Sequence, residues 1–588
     1  MKRFKRVLSF VMVIFILCGT LQTVTAIPGA TGGFLACDIT GETHTDADND
    51  YICDECGEDA VLIEIRFDNY SIVKTDFAVL YANGDLFIDG VESIEVYDSY
   101  YDFAYDEVKR VFISENIYYI DELPKMKNNK EFIVSPQNPW LKSDGGAVFT
   151  KDGKEMVCYP DGATAKNYTI PDGTQMLSDD LFYENDYLES VTLPESVVNI
   201  GYCFYSPKMY ANAYTENHVT YIGDIAVDSD FDFEETYDKV VIKPGTKIIA
   251  ADAVTIYNSG IEIELPDSLT AISDNALDFD ADKITLPKNL KFFGYGNGWN
   301  LYDILVDKDN PYFKSVNGVL FNKDLTELVR YPDGKDGEIY QVPSTVKTIG
   351  RYAFYFTWLD SLILPQGLEV IEKGAFYYCD VSYWSADFIQ ENVRYIGPKA
   401  FIYSGFEALI IPESTEYVGE FAFGWGDEGQ FDGEEYDSNF LAVFRNPDCT
   451  IGKQNKKVMI MCESGSKVEQ TAKENGNVFE AIDSPDHKHI YIPIVEKLPT
   501  CTEEGQMRYV CVSSDSEILV ELSTEYHDYD EEYVCVDCGF ELFDKDCKCI
   551  CHKLGDLSDD SGFFRLIYMV VRMFWRMFGI HDVCSCRN

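Results

Sequence analysis

The sequence predicts a mainly β solenoid of short stacked repeats, with a parallel strand per repeat, few short helices, small Cys-rich flanking modules and a C-terminal helix. Three observations predict it. A proline recurs at 171, 194, 244, 266, 287, 343, 365 and 412, with gaps of 23, 22, 21 and 22 residues, and of 50, 56 and 47 where degenerate or inserted repeats fit. Near copies of one phrase surround it, as in Leu188-Glu-Ser-Val-Thr-Leu-Pro-Glu-Ser-Val-Val-Asn-Ile-Gly201 and Leu359-Asp-Ser-Leu-Ile-Leu-Pro-Gln-Gly-Leu-Glu-Val-Ile371. An Ala-Phe pair returns at 353–354, 375–376, 400–401 and 422–423. Repetition at this period marks an architecture whose units bury their apolar edges only against neighbours.

Each element of the phrase has a physical role. Val191-Thr192-Leu193 alternates as a short strand with one face inward. Pro194 ends the strand, because it has no N–H for a ladder bond. Val197 and Ile200 return apolar side chains to the coil, and Gly201 permits the bend that follows. The alanine lets backbones approach, and the phenylalanine fills the centre of the coil.

These residues resemble the BspA-type, or Treponema pallidum-type, leucine-rich repeats of surface proteins of Firmicutes. The resemblance runs from about Val111 to Asp483 and is densest around 340–423. It implies an exported surface protein with a solenoid over 131–483. Asn138-Pro-Trp140 with Ala147-Val-Phe-Thr-Lys-Asp-Gly153 matches Asn310-Pro-Tyr312 with Val319-Leu-Phe-Asn-Lys-Asp324, and predicts two hairpins inserted between coils. The stretch Glu463–Gly476 reads as one short closing helix with a glycine stop. Before the repeats, 61–130 reads as an N-terminal β cap, on the alternation of Val61-Leu-Ile-Glu-Ile-Arg-Phe67 and Leu86-Phe-Ile-Asp-Gly-Val91.

The N-terminus has the three parts of a secretory signal over 1–26. Lys2, Arg3, Lys5 and Arg6 are basic, Val7 to Leu21 is mostly apolar, and Val24-Thr25-Ala26 offers a cleavage point. The chain of 588 residues carries a formal net charge of −53. Such a surface repels phosphate backbones, so nucleic acid is excluded as a partner. It attracts calcium, basic peptides and cationic surfaces.

Of 18 cysteines, most lie at the two ends. In the module 27–60, Cys37, His44, Cys53 and Cys56 offer three thiolates and an imidazole, a set suited to tetrahedral zinc. Asp46, Asp48 and Asp50 also sit at positions 1, 3 and 5 of a calcium-loop pattern, but Tyr51 and Gly57 depart from it at positions 6 and 12. Disulfide pairing is the third reading for an exported chain. In the module 484–542, Pro499-Thr-Cys501 and Tyr509-Val-Cys511 resemble a zinc-ribbon-like repeat of exported Firmicutes proteins. That resemblance implies a knuckle cysteine at 514, where this chain has Ser514; Cys501, Cys511, Cys535 and Cys538 still supply four ligands, with His527 spare.

The tail 543–588 brackets an apolar run, 563–580, between two Cys groups. Arg565, Arg572 and Arg576 fall on one stripe of a helix there. Three mid-run arginines disfavour a membrane span. The alternatives are a helix lying in a membrane or envelope surface and one packed against the Cys modules or a partner.

No catalytic motif stands out. There is no Gly-x-Ser-x-Gly, His-Glu-x-x-His or phosphate loop. Cys203 and His218 pair only on paper, as a buried cysteine and a surface histidine, and no carboxylate pair is singled out for glycan hydrolysis. The function expected is a secreted or cell-surface adhesion scaffold, not an enzyme, whose partner is an extracellular protein or cell-surface ligand. The competing expectations are an envelope spacer and a cryptic glycan hydrolase. Zinc in the Cys modules is tested by metal analysis of the mature protein with thiol counting. Bound zinc with free thiols is expected, and an absence of both replaces the zinc sites with disulfides.

Overall fold

Along the repeats the backbone alternates strands of two to five residues with tight turns, and strands of successive coils pair in parallel. The computed structural model describes residues 63–66, 77–80, 84–89, 93–94 and 108–522, the last with short breaks of which 425–439 is the longest. The signal, the module 27–60 and everything after 522 lie outside the described residues.

A complete coil has three sides. The first, here the flank, pairs Ile339–Gln341 with Ser361–Ile363. The second, the seam, runs without interruption through Thr348–Ile349, Val370–Ile371, Tyr395–Ile396 and Tyr417–Val418. The third, the edge, pairs Trp358–Leu359 with Asp380–Val381, and Phe401–Ile402 with Phe423–Gly424. The chain is thus the predicted solenoid, with up to three short parallel strands per repeat.

The recurring proline turns flank into seam. Its carbonyl accepts the N–H three residues on, from Val197 to Pro194 at 3.2 Å, Val346 to Pro343 at 3.0 Å and Leu368 to Pro365 at 3.0 Å. Inside each coil one side chain occupies each level. Val346, Leu368 and Val393 repeat beneath the turn, Ile349, Ile371 and Ile396 beneath the seam, and Ala353, Ala375 and Ala400 at the corner; all are fully buried. The phenylalanines of the Ala-Phe pairs stack face to face. Phe354 to Phe376 is 5.3 Å, Phe376 to Phe401 4.9 Å and Phe401 to Phe423 6.1 Å between centroids. Tyr331 and Phe440 extend the column at its two ends. Adjacent buried hydroxyls are spent on backbone carbonyls: Thr357 donates to Phe354 and Ser404 to Phe401.

Buried asparagines clamp coils together. Asn138, Asn185 and Asn310 are fully buried. The Oδ1 of Asn310 accepts the amides of Tyr312 and Phe313 at 2.8 Å each, while its Nδ2 donates to the carbonyls of Pro287 and Leu290. Asn138 and Asn185 repeat this with Trp140 and Leu141, and with Tyr187 and Leu188.

Both predicted hairpins form, at Leu141–Thr150 and at Phe313–Asn322. A third, Tyr214–Ile222, continues to Ile225–Ser229. Its tip is Asn217-His218, with φ of 53° and 66°, where the others have Gly145-Gly146 and Asn317-Gly318. All three tips have the paired positive φ of a type I′ turn. Parallel pairing also reaches back into the stretch read as a β cap: Asp85–Asp89, Arg110–Ile113 and Glu131–Val134 form one ladder, with Ile63–Arg66 and Phe77–Leu80 antiparallel in front.

The coils do not form one straight stack. After Gly201 the chain turns through the helix Pro207–Tyr210 and the third hairpin, then runs back beside itself. Ile200 donates its amide to Ser273 Oγ at 2.9 Å and accepts that of Ala251 at 2.8 Å. Asn199 Nδ2 reaches Asp274 at 2.7 Å, Arg351 lies 3.8 Å from the Met176 sulfur, and the Lys399 ammonium sits 5.7 Å from the Tyr119 ring centre. The later the residue in the second arm, the earlier its contact in the first. The two arms therefore lie seam to seam and run in opposite directions.

The array closes on the predicted helix, Lys467–Glu474. Ser466 Oγ caps it by accepting the Glu469 amide at 3.0 Å. Val468 and Ala472 seal the core, and Gly476 follows at φ 76°. An antiparallel sheet of Tyr491–Lys497, Gly505–Cys511 and Glu517–Leu522 then packs Ile492 and Val512 on Ala408, Leu441, Val443 and Met461 of the flank.

Phe376 tests the column. Phe376→Ala is expected to cost about 3–5 kcal/mol in guanidinium unfolding, because the rings on either side hold the cavity open. A loss below about 1 kcal/mol would mean the column collapses freely.

Candidate functional site

Outside the phenylalanine column, the edge carries a second layer of rings. The Ala-Phe pairs are followed by Tyr355-Phe356, Tyr377-Tyr378 and Ile402-Tyr403. Phe356, Tyr378 and Tyr403 take φ of 56°, 54° and 56°. This left-handed step turns the chain out of the core, so these side chains are half-buried on the rim.

The rim layer is continuous with an acidic stretch of the same face. Tyr202 stacks on Tyr205 at 3.9 Å, and Tyr205 on Tyr210 at 5.5 Å. The Tyr210 hydroxyl donates to Asp228 at 2.7 Å. Burial and that bond push the Tyr210 hydroxyl up to about 12, so it stays a donor. Ser229 Oγ accepts the Thr255 amide at 3.1 Å, and Thr255 pairs with Asp278. Trp299 Nε1 donates to Asp278 Oδ1 at 2.6 Å. The Trp299 ring meets Phe356 edge-on at 5.6 Å; Phe356 meets Trp358 at 5.9 Å and Tyr378 at 4.8 Å; and Tyr378 stacks on Tyr403 at 4.8 Å. One unbroken line of contacts thus runs along the coils from Tyr202 to Tyr403. Trp299 and Trp358 stand out from it, 36% and 47% exposed.

The stack also crowds carboxylates. Burial, and then the charge of Glu372, hold the Glu327 carboxyl above its ordinary 4.5. Burial raises Glu372 likewise.

The residues named from sequence fall elsewhere. Cys37, His44, Asp46, Asp48, Asp50, Cys53, Cys56, Cys501, Cys535 and Cys538 lie outside the described residues. Cys511 ends the strand Gly505–Cys511 and is buried. Among the described residues no three His, Cys, Asp or Glu side chains converge to hold a metal. Among those residues no helix is long and apolar enough to cross a membrane; the tail 563–580 is not one of them. Cys203 is buried, which pushes its thiol well above the usual range, and the exposed His218 ring faces Asp230 at 3.0 Å. A thiolate nucleophile does not arise there.

The edge was missed because its Tyr-rich positions directly follow the Ala-Phe pairs and pass for core. The signal that marks it is the ring two residues after each core phenylalanine: Phe356, Tyr378 and Tyr403.

Fold and edge together define a leucine-rich-repeat solenoid with an aromatic, acidic side. Residues 158–277 and 337–425 match the family described as BspA type leucine rich repeat region, in six copies, and the repeats of this chain are of that type. No curated protein matches the chain. Among solved structures it is similar to the pneumococcal vaccine antigen PcpA, at 18% identity over 69% of this chain and 96% of that one, with a TM-score of 0.31. A leucine rich cell surface protein from Faecalibacterium prausnitzii matches at 15% identity over 71% and 96%, with a TM-score of 0.27. A leucine-rich repeat protein from Eubacterium ventriosum matches at 17% identity over 70% and 84%, with a TM-score of 0.24.

The crowded carboxyls set a pH dependence. A raised folded value means the folded chain holds the proton more tightly. The stability so gained is complete below the unfolded value near 4.5 and is lost as pH rises through the raised value. Glu327→Gln is therefore expected to flatten the fall in unfolding free energy from pH 4.5 toward neutral. Equal slopes for the two proteins would contradict this.

Proposed function

We propose that this chain is an exported, non-enzymatic surface protein whose solenoid binds an extracellular protein along the aromatic, acidic edge. The observation that carries the reading is the uninterrupted contact line from Tyr202 to Tyr403, with two exposed tryptophans on it. Aromatic residues that are rigid and partly wet are the residues that anchor protein interfaces. From Phe356 to Tyr403 the core does not need them, because the buried phenylalanine column lies beneath. The net charge of −53 steers association toward partners with basic surfaces. The BspA-type repeats and the signal-like N-terminus support export, and the apolar run 563–580 supports attachment by lying in the envelope surface.

The reading is tested with beads coated with the mature chain and applied to cell surfaces. A variant carrying Tyr202→Ala, Trp299→Ala and Tyr403→Ala removes three rings spread along the edge. A control carrying Ile339→Ser and Ile363→Ser removes exposed apolar groups from the flank. With matched circular dichroism and melting, the edge variant is expected to lose most adhesion and the control to keep it. Equal adhesion by the edge variant and the native chain would remove the edge as the binding face.

A further inference from the structure

Several rings on these coils hold a cation of the chain itself, whereas the group that carries both exposed tryptophans of the edge holds none. Tyr302 has the Lys335 ammonium 3.7 Å above its centre. Tyr295 and Tyr352 share the Arg351 guanidinium at 5.5 and 5.4 Å, and Tyr355 has that of Arg330 at 5.4 Å. Farther along the coils, Lys243 sits 4.4 Å from Tyr214, and Lys208 5.8 Å from Tyr187. Trp299, Phe356 and Trp358 form a contiguous trio, with Phe356 between the indoles. Among the described residues no lysine or arginine lies over any of the three. Indole is the aromatic face that holds a cation best.

The same spot has carboxylates without counter-charges. Asp278 accepts the Trp299 indole N–H at 2.6 Å, and Asp280 accepts the Asn300 amide at 2.8 Å. Asp380, exposed, is the cross-strand partner of Trp358. None of the three is in an ion pair among the described residues. By contrast Asp224, Asp267 and Asp274 on nearby coils each bind a lysine or arginine of the chain.

We infer that the trio Trp299, Phe356 and Trp358, with Asp278, Asp280 and Asp380, receives a lysine or arginine side chain of a partner protein. The inference rests on the binding role proposed for the edge and names the chemistry that role uses. The partner's cation lies over the indoles, as the chain's own cations do over neighbouring rings, and the three aspartates neutralise it. A guanidinium also stacks flat on an indole, so an arginine-bearing segment fits best. Desolvation by the three rings lifts such a contact above the weak attraction that the whole acidic surface exerts.

The probe is hexa-arginine peptide, titrated calorimetrically into the mature full-length chain at about 0.15 M salt, where long-range attraction is screened. One saturable site is expected. Trp299→Ala with Trp358→Ala should weaken it about tenfold, and Asp278→Asn with Asp380→Asn by a similar factor. Trp299→Phe with Trp358→Phe, which keeps the rings in place but holds a cation less well, should recover only part of the loss. Glu413→Gln with Glu416→Gln, which removes two exposed charges from another side of the coil, should change affinity less than about twofold. Equal weakening in all charge variants, or none in the tryptophan variant, overturns the inference. If that happens while the bead assay still depends on the edge, the scaffold reading stands and its partner is not held by a cation. If hexa-arginine binds as described but beads lacking the three rings still adhere, the cation site stands and the scaffold reading falls.

Discussion

A single coil of this chain cannot satisfy itself. The amides of its seam strand point at the coil on one side and the carbonyls at the coil on the other, as Gly350 to Leu328 and Glu372 to Ile349 show. Its central phenylalanine likewise has a ring above and a ring below. Hydrogen bonding and apolar burial are therefore both relations between neighbours, and every other feature protects that continuity. The hairpin at Phe313–Asn322 interrupts the repeat but hands its last strand, Glu327–Arg330, back to the parallel ladder at Thr348–Ile349. The helix Lys467–Glu474 closes the stack where the next coil would have been. The clamp asparagines serve the same end, tying the start of one coil to carbonyls of the last.

How far this was legible depends on the distance over which each feature is written. The coil is written within 25 residues, so the proline, the Ala-Phe pair and the inward valines and isoleucines disclose it. Two hairpins were visible through their Gly-Gly and Asn-Gly tips. The third was hidden because His218 occupies the left-handed position that glycine usually marks. The return of the second arm was not visible at all. It rests on Asn199 meeting Asp274 and Arg351 meeting Met176, partners 75 and 175 positions apart, and no local period records such a pairing. Arg351 and Lys399 look like ordinary solvated cations until the other arm is beside them. The edge rings were legible as residues but not as a surface, since composition cannot separate a core phenylalanine from the rim residue two places later.

The rim, like the residue before three of the Ala-Phe pairs, Tyr352, Lys399 and Phe421, holds large side chains on left-handed backbone. Left-handed backbone at Phe356, Tyr378 and Tyr403 costs about 1 kcal/mol or more per residue, and glycine or asparagine would fill those positions more cheaply. Stacking between rims offsets part of that cost, about 0.5–1.5 kcal/mol for each pair such as Tyr378 and Tyr403. The balance is close to even, so stability alone does not explain large rings at these sites. They are placed where a chain chosen only for folding would be smaller and more polar.

The fold-back fixes which way the molecule points. Tyr119, early in the first arm, lies against Lys399, late in the second. The chain therefore enters and leaves the array at one pole, and the turn around Pro207–Tyr210 with the hairpin Tyr214–Ile222 occupies the opposite pole. A partner that met both ends of the array would meet one pole, with the bend at the far tip. A straight stack of about 16 turns would instead set its two ends a full length apart.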